Sequence, residues 1–239
     1  MRKITLLLVL ILCNTLFAQL EIPKLGENDS IVNHNAYSLS FNSKYHNANW
    51  VAYLLTREET NSLFERSNNF IKDPLVEGTD LTKDYYKSGY DKGHLAPAGD
   101  MGFSKTAMDE SFYYTNMSPQ VPSFNRGIWK KLESHVRDWA IEYDSLYVVT
   151  GPIFSDSMKV IGPDSVAVPN YYYKVILDNH KGKEKMIGFV MENTGSKAEL
   201  KTFVLCVDNI EELTGIDFFP LLSDELEIKI ENEICFECW

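Results

Sequence analysis

The sequence predicts an α+β fold, on three observations. About six strand-like and three or four helix-like segments follow one another without the strict alternation of a doubly wound parallel sheet. No internal repeat, low-complexity tract or Pro/Ser-rich linker divides residues 30–239, so they read as a single domain. The 239 residues, 44% of them hydrophobic, are enough to bury a sizeable core, which excludes a disordered tail, a collagen-like fibre and a small disulfide-stapled scaffold.

Taken in chain order, residues 1–18 have the pattern of a cleavable signal peptide. Met1-Arg2-Lys3 is basic, Ile4 to Leu12 is apolar, and Ala18 is the small residue before the cut. The apolar run is shorter than the roughly 20 residues a membrane span needs. Leu12 is too large to precede Cys13 in a lipoprotein site. The chain is therefore expected to be secreted or periplasmic, with no stable membrane association after signal cleavage. Residues 19–33 form a polar lead-in, and residues 34–239 are the expected domain.

Within that domain, AYSLSFN and ANWVAYLLT flank the turn-like SKYHN and alternate as a β-hairpin does. Residues 60–80 are polar and irregular, and Tyr113 to Met117 resembles a short strand. Ile128, Leu132, Val136 and Trp139 recur at helical spacing and predict a helix over 125–143. SLYVVTGPIF reads as a buried strand ending in a Gly-Pro turn. YYYKVILD and KMIGFVMEN read as strands around NHKGK, and KTFVLCVDNIEELTGIDFF ends in an acidic helix-like stretch. The tyrosines, among them Tyr85, Tyr86, Tyr113, Tyr114 and Tyr171 to Tyr173, sit in strand-like runs. Sheet packing is favoured there over base stacking.

The formal charge is −11, which read alone argues against a polyanionic partner. Losing Arg2 and Lys3 with the signal peptide takes it to −13. The acids are not evenly spread, however. Residues 208–239 hold ten Asp and Glu against one Lys, a net of −9, while Arg126, Lys130, Lys131 and Arg137 outnumber Glu133 and Asp138 on the predicted helix. An acidic C-terminal end thus accounts for most of the charge. Three cysteines follow the signal peptide: Cys206, Cys235 and Cys238. A zinc site lacks its other ligands and a redox site lacks its βαβ setting, so a local disulfide or a tail clip is favoured; three is odd, so at least one thiol stays free or pairs intermolecularly, and which cysteines pair stays open.

The densest chemistry lies in SGYDKGHLAPAGDM. Asp91-Lys92-Gly93-His94 puts an acid, a base and an imidazole within four residues, with Gly93 expected to allow a tight turn and Pro97, Gly99 and Gly102 a loop. In TNMSPQVPSFNRGIWKKLE, Asn125 is placed to cap the helix, or to offer a hard amide oxygen to Mg²⁺. Trp129 and Glu133 follow at i+4 and i+8, toward the same side, with Trp129 read as packing.

Together these pieces resemble the DNA/RNA non-specific endonuclease family, the ββα-metal nucleases related to the secreted Serratia nuclease and mitochondrial endonuclease G. The likeness is carried by Asp91-Lys92-Gly93-His94 with Leu95 to Ala98, by Thr115 to Gln120, and by Asn125, Trp129 and Glu133 in N-x₃-W-x₃-E. Weaker likenesses are WVAY at Trp50, Arg66 before Phe70, Asp73 and Pro74, VVTGPIF and LTGIDFF.

The resemblance implies a ββα-metal nuclease fold, with a central, mainly antiparallel sheet flanked by helices. It implies hydrolysis of phosphodiester bonds in DNA and/or RNA to 5′-phosphates. His94 resembles the general base and Asn125 the single direct ligand of a Mg²⁺ ion, with Mn²⁺ as the alternative ion. Glu133 resembles the acid that holds metal-bound water, Asn116 the amide that orients the imidazole, and Arg66 the arginine that neutralises phosphate. Lys92 stands where the family usually has Arg, which keeps the charge and loses the bidentate fork. That departure and the acidic charge motivate an alternative: a catalytically weak or inactive nucleic-acid- or partner-binding module of the same fold. Oligomeric state, a homodimer included, and any inhibitor partner stay open.

Overall fold

The computed structural model describes residues 19–24, 26 and 30–239, so the predicted signal peptide lies outside the described residues. The strands are β1 (Ile31–Asn33), β2 (Ser38–Asn42), β3 (Asn47–Thr56), β4 (Asp91–His94), β5 (Met117–Gln120), β6 (Ser145–Ile153), β7 (Lys159–Ile161), β8 (Val166–Val168), β9 (Tyr171–Asp178), β10 (Lys185–Glu192) and β11 (Val204–Leu205). The helices are α1 (Thr82–Tyr85), α2 (Lys105–Glu110), α3 (Lys130–Glu142), α4 (Val207–Thr214) and α5 (Asp224–Glu231).

Seven strands form one sheet in the order β1-β2-β3-β6-β9-β10-β11, with every neighbour antiparallel. Side chains alternate across it, as strand geometry requires. Val51, Tyr53 and Leu55 of β3, Tyr172 and Ile176 of β9, and Ile187, Phe189 and Met191 of β10 point to one face. Leu132, Val136, Trp139 and Ala140 of α3 cover that face. Trp50 and Ala52, Tyr173, Val175 and Leu177, and Met186 point to the other, where Val207 and Ile210 of α4, Phe218, Phe219 and Ile230 of α5 cover them. The result is the expected α+β architecture, a central antiparallel sheet flanked by helices.

Two small ribbons stand apart from the main sheet. β4 pairs with β5 and β7 with β8, both antiparallel. Leu81, Tyr85, Tyr114, Met117, Ile161, Val166 and Val168 close a minor core beside them.

The structure corrects the sequence reading in several places. Residues 31–33 of the lead-in are an edge strand of the main sheet, paired with residues 38–40. Tyr114 to Asn116 form a tight turn rather than a strand, held by the Tyr114 amide donating to the Ile71 carbonyl, and strand geometry starts only at Met117. β6 runs through Gly151-Pro152 instead of turning there. From Gly151 on it pairs with β9 alone, so the missing N–H of Pro152 breaks no bond to β3. The predicted helix over 125–143 is two pieces. Gly127, at φ −106° and ψ −110°, kinks the chain, and regular helix begins at Lys130. α5 is a helix that the sequence pattern does not predict. The cysteine pairing, open in the sequence, is settled: a disulfide joins Cys235 and Cys238, and Cys206 is free. Among the described residues no helix is long and apolar enough to cross a membrane.

Candidate active site

The β4–β5 ribbon presents the histidine. His94 lies opposite Met117 and Asp91 opposite Gln120, so His94 belongs to a strand and not to a loop. Gly93 serves close approach rather than a turn: a Cβ there would lie 2.2 Å from the Gln120 side chain. The His94 ring stands edge-on to Phe112, with centroids 4.8 Å apart, and is 7% exposed. Its Nε2 is buried with no hydrogen-bond partner. Burial first, and the positive field of Arg66 second, push its pKa down to about 3, so the free protein holds a neutral imidazole.

Asn116 acts on the backbone that follows His94. Its Oδ1 accepts from the Ala96 amide at 2.8 Å, and its Nδ2 donates to the carbonyls of Ala96 and Ser111 at 2.9 and 2.8 Å. The side chain is fully buried and is committed to these three bonds. Asp73, from the Phe70-to-Pro74 segment, accepts from Thr115 Oγ1 at 2.6 Å and pairs with His34 Nε2 at 2.9 Å, fastening that segment beside Asn116.

Asn125 makes no helix cap. It sits in the wide turn ahead of the Gly127 kink and donates its Nδ2 to Asp91 Oδ2 at 2.9 Å. Arg126 Nε donates to the same oxygen at 2.8 Å. These bonds hold the Asp91 carboxyl below the usual carboxylate range despite its partial burial. With its NH₂ end tied down, Asn125 keeps its amide oxygen as the available acceptor.

Arg66, His94, Asn125, Arg126, Glu133 and Arg137 line one cleft of about 500 Å³. Arg66 reaches it over the Phe112 ring, 5.0 Å from the centroid. A second, shallower groove beside it carries Lys92, whose Nζ lies 4.6 Å over the Phe70 ring, together with Tyr90 and again Arg66, Asn125 and Arg126. His94, Asn125, Glu133 and Arg66 are thus brought together. Lys92 lies in the adjoining groove, and Asn116 is behind the wall.

Beneath Glu133 lies a buried polar cluster absent from the sequence reading. Arg137 donates to Asp100 Oδ1 at 2.7 Å, and Tyr53 donates its hydroxyl to Asp100 Oδ2 at 2.9 Å. Lys174 of β9 is fully buried, 5.0 Å over the Trp129 ring, and its Nζ has no hydrogen-bond partner. Burial pushes Glu133 up while Lys174 pulls it back, and burial pushes Lys174 down while Glu133 supports its charge. Arg137 was legible in principle, four residues after Glu133 on the same helical face. Lys174 showed as one charge inside a run of strand formers. Asp100 gave no pattern of its own.

The donor set suits a hydrated, hard divalent cation. The Asn125 amide oxygen and the Glu133 carboxylate face one cleft, and both are oxygen ligands of the kind Mg²⁺ takes while keeping most of its water. Among the described residues a separate group of metal-capable carboxylates, Asp208, Glu211 and Glu231, lies under the opposite face of the sheet. The tyrosines divide: Tyr114, Tyr172 and Tyr173 are buried, whereas Tyr86 and Tyr171 are 71% and 46% exposed.

A ribbon carrying the histidine, followed by a helix carrying the acid, is the ββα arrangement of the metal-dependent nucleases. The chain belongs to the DNA/RNA non-specific endonuclease family, whose model matches residues 18–225. It is 34% identical over 216 residues to the mitochondrial nuclease EXOG of Xenopus laevis, covering 83% of this chain and 60% of that protein. It is 32% identical over 228 residues to nuclease C1 of Cunninghamella echinulata var. echinulata, covering 88% and 89%. A crystal structure of an EndoG/EndoGI complex, described as showing the mechanism of EndoG inhibition, superposes with a TM-score of 0.79 at 34% identity, over 85% of this chain and 90% of that one. The chain therefore spans about three fifths of the Xenopus relative and most of the fungal one.

Proposed function

We propose that this chain is an exported, divalent-metal-dependent endonuclease that hydrolyses phosphodiester bonds of DNA and/or RNA, leaving 5′-phosphates. The observation that carries the reading is the convergence of His94, Arg66, Asn125 and Glu133 on one cleft. Family membership and the nuclease relatives support it, and the signal-peptide pattern supports export.

The chemistry follows from the geometry. The neutral imidazole of His94, which lines the cleft, is the base that takes the proton of the attacking water. A base of pKa about 3 would be weak, but burial and Arg66 are what depress it. An anionic phosphodiester seated beside Arg66 offsets that positive field, so base strength rises as substrate arrives. Arg66 and Arg137 offer fixed positive charge to the phosphate as negative charge builds on its oxygens. Asn125, held by Asp91, would hold the ion, and Glu133 would hold its bound water. When bound, it supplies Lewis-acid relief of charge and a water of lowered pKa near the leaving oxygen. Lys92 in the neighbouring groove is placed for the flanking backbone phosphate.

Conversion of supercoiled plasmid and of RNA, followed in Mg²⁺, Mn²⁺, Ca²⁺ and EDTA with end-group analysis of products, tests the reading. Cleavage in Mg²⁺ or Mn²⁺ that stops in EDTA and leaves 5′-phosphates is expected. Cleavage that persists in EDTA would overturn the metal dependence, and no cleavage in any ion would leave a binding module.

A further inference from the structure

The carboxylates under the far face of the sheet form a site of their own. α4 supplies Asp208 and Glu211, and α5 supplies Glu231, with one ligand oxygen of each within 4.8 Å of the others. Ile210 and Ile230 of the same two helices enter the core on the face opposite α3, so the sheet separates this cluster from His94. Glu231 is 5% exposed, and its Oε1 is buried without a hydrogen-bond partner. Glu227, one turn before it on α5, also has a buried, unpartnered Oε1. The nearest cation, Lys24, is paired with Asp217 at 3.0 Å and is largely exposed. Three acids therefore meet, with Glu227 near them, and among the described residues Lys24 is a cation whose charge reaches Glu211 and Glu227 from its pairing with Asp217.

We infer that Asp208, Glu211 and Glu231, with Glu227 beside them, form a structural Ca²⁺ site that pins α5 to α4. Ca²⁺ takes several carboxylate oxygens at about 2.3–2.6 Å, so its coordination sphere spans about 4.6–5.2 Å. The 4.8 Å spread of the donors fits within that span. Mg²⁺ binds more closely and gives up its water reluctantly, which suits the Asn125 cleft better than an all-carboxylate cage. The ion would satisfy the orphaned oxygens, which otherwise must share protons. The site also assigns a role to part of the acidic C-terminal end: it gives α5, which has Ile228 66% exposed and few core residues, a second anchor.

The test is thermal unfolding and calorimetric titration of the protein with CaCl₂ against EDTA. Wild type should show one Ca²⁺ bound and a Tm about 5 °C or more higher at saturating Ca²⁺. Asn125→Ala should keep that response, which separates it from the cleft. Glu231→Gln and Asp208→Asn should each lose it; Gln and Asn keep the shape, and titration of Asn125→Ala counts the bound ion even if one of these variants fails to fold. No Ca²⁺ response in wild type, or an undiminished response in Glu231→Gln, would overturn the site. An equal response to Mg²⁺ would overturn the assignment of calcium.

Discussion

Asn125 donates its side-chain amide to Asp91 across 2.9 Å, a bond between two residues that the sequence keeps 34 positions apart. Asp91 leads the strand that bears His94, and Asn125 precedes the helix that bears Glu133. The bond fixes which end of the amide faces the cleft. Asp91→Ala should therefore free Asn125 to rotate and raise the Mg²⁺ concentration needed for half-maximal activity by about 10-fold or more, as loss of a partner behind a metal ligand does. Activity titrated against Mg²⁺ measures this. An unchanged requirement would show that Asp91 does not orient the ligand.

Asn116→Ala should act through stability. It removes three buried hydrogen bonds and leaves the Ala96 amide and two carbonyls unpaired. A loss of about 3 kcal/mol is expected from bonds worth roughly 1 kcal/mol each. Urea unfolding with an unchanged m-value reads it. Full stability in this variant would remove Asn116 from the scaffold.

Lys174→Met removes a buried positive charge while keeping much of the side-chain volume. Lys174 lowers the pKa of Glu133, so its loss should raise that pKa further. Glu133 is then protonated over a wider range, and its ionised form is recovered only at higher pH. The acidic limb of the kcat–pH profile should move to higher pH, with activity returning in alkali. An unmoved limb would mean that Lys174 serves packing alone.

Lys92→Ala should weaken substrate binding and leave kcat nearly intact, because Lys92 lies in the groove beside the cleft rather than against His94. Losing one phosphate contact should reduce the slope of log K against log salt by about 1. Binding of a non-cleaved oligonucleotide in EDTA, measured across salt concentrations, decides it. An unchanged slope would place Lys92 away from phosphate.

What could be read in the sequence was what local pattern encodes. Val51, Tyr53 and Leu55 alternate with Trp50 and Ala52, and that alternation gives β3 its two faces. Leu132, Val136 and Trp139 repeat at helical spacing, which placed α3 but not the kink at Gly127. α5 is illegible in the sequence because Leu226, Ile228 and Ile230 alternate like a strand, whereas the helix turns Leu226 and Ile230, four residues apart, onto the core and leaves Ile228 exposed. At the site, His94, Asn125 and Glu133 were visible as motif. The Asp100–Arg137 pair and Lys174 were not, since only tertiary packing brings β9 under α3. Gly93 was read as a turn because its neighbour Gln120 lies 27 residues on, across a ribbon.

Every other role proposed in the cleft depends on His94 acting as the base. Single-turnover cleavage of plasmid DNA in Mg²⁺ by wild type and by His94→Ala, with circular dichroism and Tm of both, tests it most directly. The expected result is a rate lower by about 10²–10⁴ in a variant that remains folded. A folded His94→Ala that cleaves at the wild-type rate would contradict the account.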